Sequence, residues 1–293
     1  MTILSNKIDF AVIVNVHHAN PNGDPLNGNR PRVDYNGYGE ISDVAIKRKI
    51  RNRLMQEGHS IFVQSDDNKI DDAPSLRARA EEEFGKDIWK KDRGTVINET
   101  CEKWLDVRAF GQVFAYSTGK KGEGVSIGIR GPVSVHPAFS VVPVLDRSSS
   151  IQITKSVKGD VNDKASDTMG MKHRVDHGVY VFYGSMNPQL ATKTGFSDDD
   201  AQAIKTALKT LFRNDASSAR PEGSMEVYKL YWWEHNSPNG QYSSAKVHRS
   251  VSKKIDVRED VDEPKDIGDY YIPEKDAIEK ELPGLKCEVI EGE

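Results

Sequence analysis

An α+β fold is predicted from three features: apolar runs rich in β-branched and aromatic residues, two amphipathic helices set between them, and the order of these elements. Strand-like runs lie at residues 9–17, 60–64, 125–136, 178–186 and 225–234. Helices are predicted at 42–57 and 197–212. The second opens on Ser197 as an N-cap, followed by an acidic first turn of Asp198, Asp199 and Asp200. The strong elements read strand, helix, strand, strand, helix, strand. That is the split βαβ order of a ferredoxin-like sheet, the architecture of an RNA-recognition motif.

Such a core uses only part of 293 residues, so large insertions are expected within one elaborated domain. The sheet core draws on about 8–64, 105–145 and 177–236. Residues 66–104, containing EEEFGKDIWKK and NETCEKWL, form a polar helical insertion. No apolar run reaches the roughly 20 residues that cross a bilayer, and MTILSNKIDF lacks the charged start and long apolar core of a secretion signal. No membrane partner and a cytoplasmic location are therefore expected. Cys101 and Cys287 lie far apart without a C-x-x-C partner, which indicates neither a disulfide scaffold nor a structural zinc site.

The net charge of -4 conceals an uneven distribution. Residues 256–293 hold 14 acidic against five basic residues, leaving 36 Lys and Arg against 31 Asp and Glu in the first 255. The body is mildly basic and the end segment acidic. The readings of that segment are a solvated face or partly ordered extension, or a contact with a basic neighbouring subunit.

The richest stretch is 8–53: a strand, IDFAVIVNVH, a loop, NPNGDPLNGNRPR, and a cationic helix, DVAIKRKIRNRL. A strand ending in such a loop gathers backbone N–H groups, amides and arginines at one sheet edge, where an anionic polymer can lie. Gly23, Gly28, Gly37 and Gly39 fit neither G-x-x-x-x-G-K-[ST] nor G-x-G-x-x-G, so no mononucleotide motif is present. A connecting loop stiffened by Pro21, Pro25 and Pro31 is the plainer alternative. The helix favours phosphate binding. Val44, Ile46, Ile50 and Leu54 make an inward stripe, while Lys47, Arg48, Lys49, Arg51 and Arg53 crowd the other faces with few acidic partners.

Residues 146–176 lie between strong strands, hold few large apolar residues, and carry Arg147, Lys155, Lys158, Lys164, Lys172, His173 and Arg174. Unable to build a core, the stretch reads either as an extended hairpin arm ordered by a ligand or neighbouring chain, or as a surface loop.

Catalytic signals are weak. Alternation sends His17 and His18 to opposite sheet faces, and His173 and His177 are four apart without a helical pattern. There is no G-x-S-x-G, no H-E-x-x-H and no cofactor loop. No catalytic residue, metal or cofactor is predicted. In YKLYWWEHN, Tyr228, Leu230 and Trp232 share one face and Lys229, Tyr231 and Trp233 the other; one face is core, and the other either stacks bases or, the favoured reading, packs beneath an insertion.

Five segments in order, HHANPNGDPLNGNRPR, SDVAIKRKIRNRL, LDVRAFGQVF at 105–114, GPVSVHP at 131–137 and TMGMKHRVDHGVYVFYGSMNP at 168–188, resemble the CRISPR-associated backbone subunit of type I-C Cascade complexes, in the Cas-seven family of the RAMP superfamily. The resemblance spans nearly the whole chain. It implies an RNA-recognition-like palm with inserted finger and web regions and a thumb at 146–176, several copies of which polymerise along the spacer of a CRISPR RNA. Lys47, Arg48 and Arg51 would hold guide phosphates, with Asn22, Asn27 and Arg30 adding loop contacts. Arg108 would present a guanidinium from a rigid turn. On the thumb, Lys155, Lys158, Lys172, His173 and Arg174 would grip the strand, and Met169 or Met171 would wedge against a base. Implied partners are CRISPR RNA, target DNA paired to it, further copies of the chain, and the RNA-processing 5'-end subunit and large subunit of Cascade. No chemistry is implied. Type III backbone subunits, by contrast, use an aspartate after the first strand for metal-dependent RNA cleavage; Asp24 occupies a similar place, which leaves that alternative open. A small-molecule enzyme would need a triad, metal signature or cofactor loop, and none is found.

Overall fold

The computed structural model describes residues 2–117, 124–153 and 168–293. The elements run β1 (Ile8–Ala19), the short pair β2 (Gly23–Asp24) and β3 (Arg30–Pro31), β4 (Tyr38–Ile41), α1 (Asp43–Gln56), α2 (Leu76–Phe84), α3 (Arg93–Lys103) and α4 (Leu105–Phe110). Next come β5 (Gly111–Ser117), β6 (Gly124–Arg130), β7 (Val133–Val135), β8 (Ala138–Pro143), β9 (Asp146–Ile153) and β10 (Thr168–Met186). The chain continues through α5 (Pro188–Thr194), α6 (Asp198–Lys209), β11 (Met225–Glu234) and α7 (Ser244–Ser252). It closes with β12 (Asp256–Val257), β13 (Tyr270–Tyr271), α8 (Lys275–Glu279) and β14 (Glu288–Glu291). The architecture is α+β.

Among the described residues the main sheet runs β14-β11-β1-β10-β8-β4, with β7 and β9 also on β10. Every ladder is antiparallel, and β1 sits between β10 and β11. Phe10, Val12, Val14 and Val16 enter the core beneath α1 and α6, while Ala11 and Ile13 enter a second core beneath α7 and the C-terminal segment. Successive residues point to opposite faces, so an all-apolar run on a central strand supplies both layers. Where Phe10 meets β10 its partner is Gly184; a Cβ there would stand 2.1 Å from the Phe10 ring.

Several expectations are revised. The predicted strand at 60–64 is irregular, because the Asp106 carboxylate accepts hydrogen bonds from Phe62 N–H (2.7 Å) and Val63 N–H (3.0 Å) in place of a neighbouring strand. Phe62 then packs on Trp104 and Phe114 in a third core that holds the 66–104 insertion and the β5–β6 hairpin. The run 125–136 divides into β6 and β7 at Gly131 and Pro132, where a Gly131 Cβ would stand 2.3 Å from the Ala109 carbonyl and proline has no N–H to donate. On β11, Val227 rather than Tyr228 joins Leu230 and Trp232, because the register shifts at Ile13/Val14 and a bulge reverses the alternation. Tyr231 and Trp233 are buried, as expected of a covered face.

What covers them is the acidic end segment. Tyr270, Ile278, Leu282, Leu285 and Cys287 lie in the second core, and β14 extends the sheet beside β11. The segment is therefore ordered rather than a partly ordered extension, and its acids make a solvated face outside a layer whose apolar residues close the fold.

The Asp106 carboxylate also takes Arg51 Nε at 3.0 Å, so one buried group fixes α1, α4 and the 60–64 turn. Asp106→Ala leaves a half-buried guanidinium and two backbone donors without their acceptor; a loss of about 2–4 kcal/mol is expected, measured by denaturant unfolding.

Candidate nucleic-acid interface

The β1 strand delivers the chain into the loop that shapes the site. Asn20 Nδ2 donates to the Asn29 carbonyl (2.7 Å), and Asp24 accepts from Leu26 N–H (3.1 Å) to cap the turn at Pro25–Asn27. Gly28 and Asn29 carry φ of 61° and 58°, the left-handed backbone that such a turn requires. Asn22 Oδ1 accepts from Ser42 N–H (2.9 Å), fastening the loop to the start of α1, whose Ser42 side chain caps Ala45 N–H.

A groove of about 550 Å³ opens between this loop, the first turns of α1, residues 67–68 and residues 214–220. Its charged lining comprises Arg32, Arg48, Lys49 and Arg220, with Asp67 and Asp215; Asn22, Asn52, Asn68 and Asn214 add amides. Arg48 lies 3.2 Å from Asp67, Arg220 lies 3.5 Å from Asp215, and Lys49 contacts Asp215. Arg32 lies 3.7 Å from Asp24. Burial pushes the Lys49 ammonium down to about 8 against the pull of Asp215. The lining presents guanidinium and ammonium groups, amides and a helix start, a set suited to phosphate oxygens.

The structure gathers some of the anticipated residues here and sends others elsewhere. Asn22 and Arg48 line the groove. Lys47 is beside it, paired with Asp43 at 2.9 Å. Asn27 and Arg30 are exposed on the loop. Val44, placed in the inward stripe, is exposed and lines the groove, because its position falls across α1 from Ile46 and Ile50; Lys49 and Arg53 are buried in its stead. Arg51 is turned to Asp106 and stacks on Phe110, so its guanidinium is committed to the core. Arg108 is likewise committed: it makes a two-point pair with Asp200 (2.7 and 2.9 Å) at the start of α6. Burial pushes the Asp200 carboxyl up, but Arg108 and Ser197 outweigh it and hold it below the usual range.

Residues 146–153 and 168–175 form an antiparallel ladder, from Asp146↔Val175 to Ile153↔Thr168. Met171 is exposed and Arg174 Nε donates to Asp176 (3.1 Å); Lys172 and His173 stand between them on β10. Lys155 and Lys158 lie outside the described residues, as does the Met169 side chain.

The two strand-end histidines are not separated by alternation. His18 takes φ of 48°, so it and His17 line one pocket with His177, at the foot of the arm. The His17 and His177 rings are 4.7 Å apart, and burial, then the His17 charge, push the His177 imidazole down to about 4. Among the described residues no group of three or more His, Cys, Asp or Glu is arranged to hold a metal.

The family model of CRISPR-associated protein Cas7 matches residues 6–274. The chain belongs to the Cas7 family. A Cas7 relative, "CRISPR-associated protein Cas7" of Haloferax volcanii, is 25% identical over 244 residues, covering 74% of this chain and 67% of its own. Among solved structures, a chain of a "CRISPR RNA-guided surveillance complex, pre-nicking" aligns at TM-score 0.48 and 14% identity, over 78% of both chains. A chain of a "CRISPR RNA-guided surveillance complex" aligns at 0.39 and 16%, over 78% of this chain and 68% of that one. Among the described residues no helix is long and apolar enough to cross a membrane.

Arg32, Lys49 and Arg220 are the groove cations that sequence pattern did not select. Lys49 stood within the cationic run, but nothing marked it as the one beside a loop 166 residues away. Its depressed ionisation has a measurable consequence. Between pH 8 and 10.5 the unfolded chain keeps a proton that the folded chain has shed, so this group's contribution to stability rises with pH. The stability of wild type relative to Lys49→Met is expected to increase by roughly 2–4 kcal/mol across that window, read from unfolding curves at stepped pH.

Proposed function

We propose that this Cas7-family chain is a CRISPR RNA-binding backbone subunit of a type I-C Cascade surveillance complex, polymerising along the guide and supporting its pairing with target DNA. Chief support comes from the groove: four cations and several amides, from segments distant in sequence, converge where β1 ends and α1 begins. Such a lining holds a phosphate backbone without reading bases, leaving sequence to Watson–Crick pairing. In this role Asn22, Asn27, Arg30, Lys47 and Arg48 contact RNA with Arg32, Lys49 and Arg220, and Arg51 and Arg108 are set aside as structural.

The strand order β11-β1-β10-β7, with α1 and α6 on one face, supports the reading of residues 8–64, 105–145 and 177–236 as an RNA-recognition-like palm. Its sheet face is closed by α7 and the end segment, so RNA runs along the loop and helix edge rather than across the strands. The ladder of β9 with the outer half of β10 serves as the thumb, with Met171, Lys172, His173 and Arg174 toward the RNA. Residues 66–104 act as web and finger. Partners are CRISPR RNA, target DNA, further copies of this chain, and the RNA-processing and large subunits of Cascade.

The subunit binds without catalysing, in the cytoplasm. The metal-dependent ribonuclease reading is less favoured, since the Asp24 carboxylate already caps a turn and faces Arg32.

Co-expression with a CRISPR RNA, followed by light scattering and nuclease protection with and without magnesium, tests the assignment. A high-mass particle with regularly spaced protection and intact RNA is expected; magnesium-dependent cutting that needs Asp24 would transfer the assignment to the nuclease. Lys47→Glu with Arg48→Glu is expected to weaken binding equally across RNA sequences and to reduce the salt slope by about one for each phosphate left without its cation.

A further inference from the structure

The cations of the groove do not stand open. Arg48 on α1 is met by Asp67 at 3.2 Å, Lys49 by Asp215, and Arg220 by the same Asp215 oxygen at 3.5 Å. In these three pairs the carboxylate comes from an irregular segment, at 67 or 215. Lys49 is only 7% exposed at its side chain and Asp215 17%, whereas Asp67 is 76% exposed. Arg220 Nε is buried and faces the Asp215 oxygen without, among the described residues, making a hydrogen bond, so the contact is electrostatic and loosely held.

We infer that Asp215 and Asp67 are phosphate surrogates: tethered carboxylates that occupy the groove's cations until a polyanion displaces them together. The inference rests on the RNA-binding role proposed above, and adds that the groove discriminates by charge density. A tethered carboxylate competes at a high effective concentration, which a lone phosphate or chloride does not overcome. A nucleic acid strand brings several phosphates at once, each joining a cation already placed, and its first exchange keeps the next phosphate close. Displacement also leaves the two carboxylates needing mobile cations, which offsets part of the counterion release that drives RNA binding. The wild-type groove is therefore weak toward short, non-cognate strands and less salt-dependent than its cations alone would make it. Asp215 supplies the larger share, because it neutralises two cations and lies in the drier part of the groove. Since the loops carry the carboxylates and α1 carries Arg48 and Lys49, the exchange leaves the helix in place.

The test compares wild type with Asp215→Asn, Asp67→Asn and the double variant, using a fluorescein-labelled eight-nucleotide oligouridine and inorganic phosphate over a salt series. Asp199→Asn, at an exposed position of α6 outside the groove, removes the same charge as a control. Each groove variant is expected to bind the oligouridine roughly five- to ten-fold more tightly than wild type, with a salt slope steeper by about one per carboxylate removed. Asp199→Asn is expected to change neither beyond two-fold. If wild type binds RNA and folded Asp215→Asn and Asp67→Asn bind no tighter, or Asp199→Asn tightens binding as much, the surrogate role is overturned while the RNA-binding role stands. If wild type and every variant bind no RNA, the RNA-binding role falls and the inference falls with it. Should Asp215→Asn fail to fold, Asp67→Asn, at an exposed side chain, decides the matter alone.

Discussion

Burial of β1 on both faces is the constraint to which the rest of the molecule answers. A strand that reads Phe10, Ala11, Val12, Ile13 and Val14 without a polar break has no face to offer water. One side is closed by α1 and α6, and the other by α7 and the C-terminal segment. The sheet surface that RNA-recognition folds leave open for stacking is thus spent on the core. The groove cations lie instead where strands end and helices begin.

The polar groups of β1 are handled within the same scheme. Asp9 is wholly buried, yet its carboxylate takes His235 Nε2 at 2.9 Å and lies 3.2 Å from Lys7. Burial pushes the Asp9 carboxyl up, but His235, Ser244 and Lys7 outweigh it and keep it below the ordinary range. His235 Nδ1 accepts from Gln241 N–H, which leaves the proton on the nitrogen facing Asp9. A buried charge is tolerated because each of these partners is fixed by the backbone around it.

Charge is divided by depth. Arg51 with Asp106 and Arg108 with Asp200 hold elements together from within and offer nothing to a ligand. Arg48, Lys49 and Arg220 are paired as well, but with loop carboxylates at the wall of an open groove. The two kinds of arginine are indistinguishable by residue type. What separates them is whether the partner lies inside the core or in a loop at its margin.

The sequence by itself determined the α+β class, the strands at β1 and β11, and the helices α1 and α6, and it marked the loop and cationic helix that the structure finds lining one groove, because these depend on local periodicity, caps and composition. That Asn22 and Arg48 belong to that lining was legible for the same reason. Tertiary structure alone decided that 60–64 is held by a side chain, that the β11 face changes at a bulge, and that the acidic end is a core layer. It alone turned Arg51 and Arg108 to the carboxylates of Asp106 and Asp200 and set Arg220 and Asp215 in the groove. Each of those outcomes turns on a partner far away in the chain, and a pairing across such a distance leaves no periodic trace in the sequence around either residue.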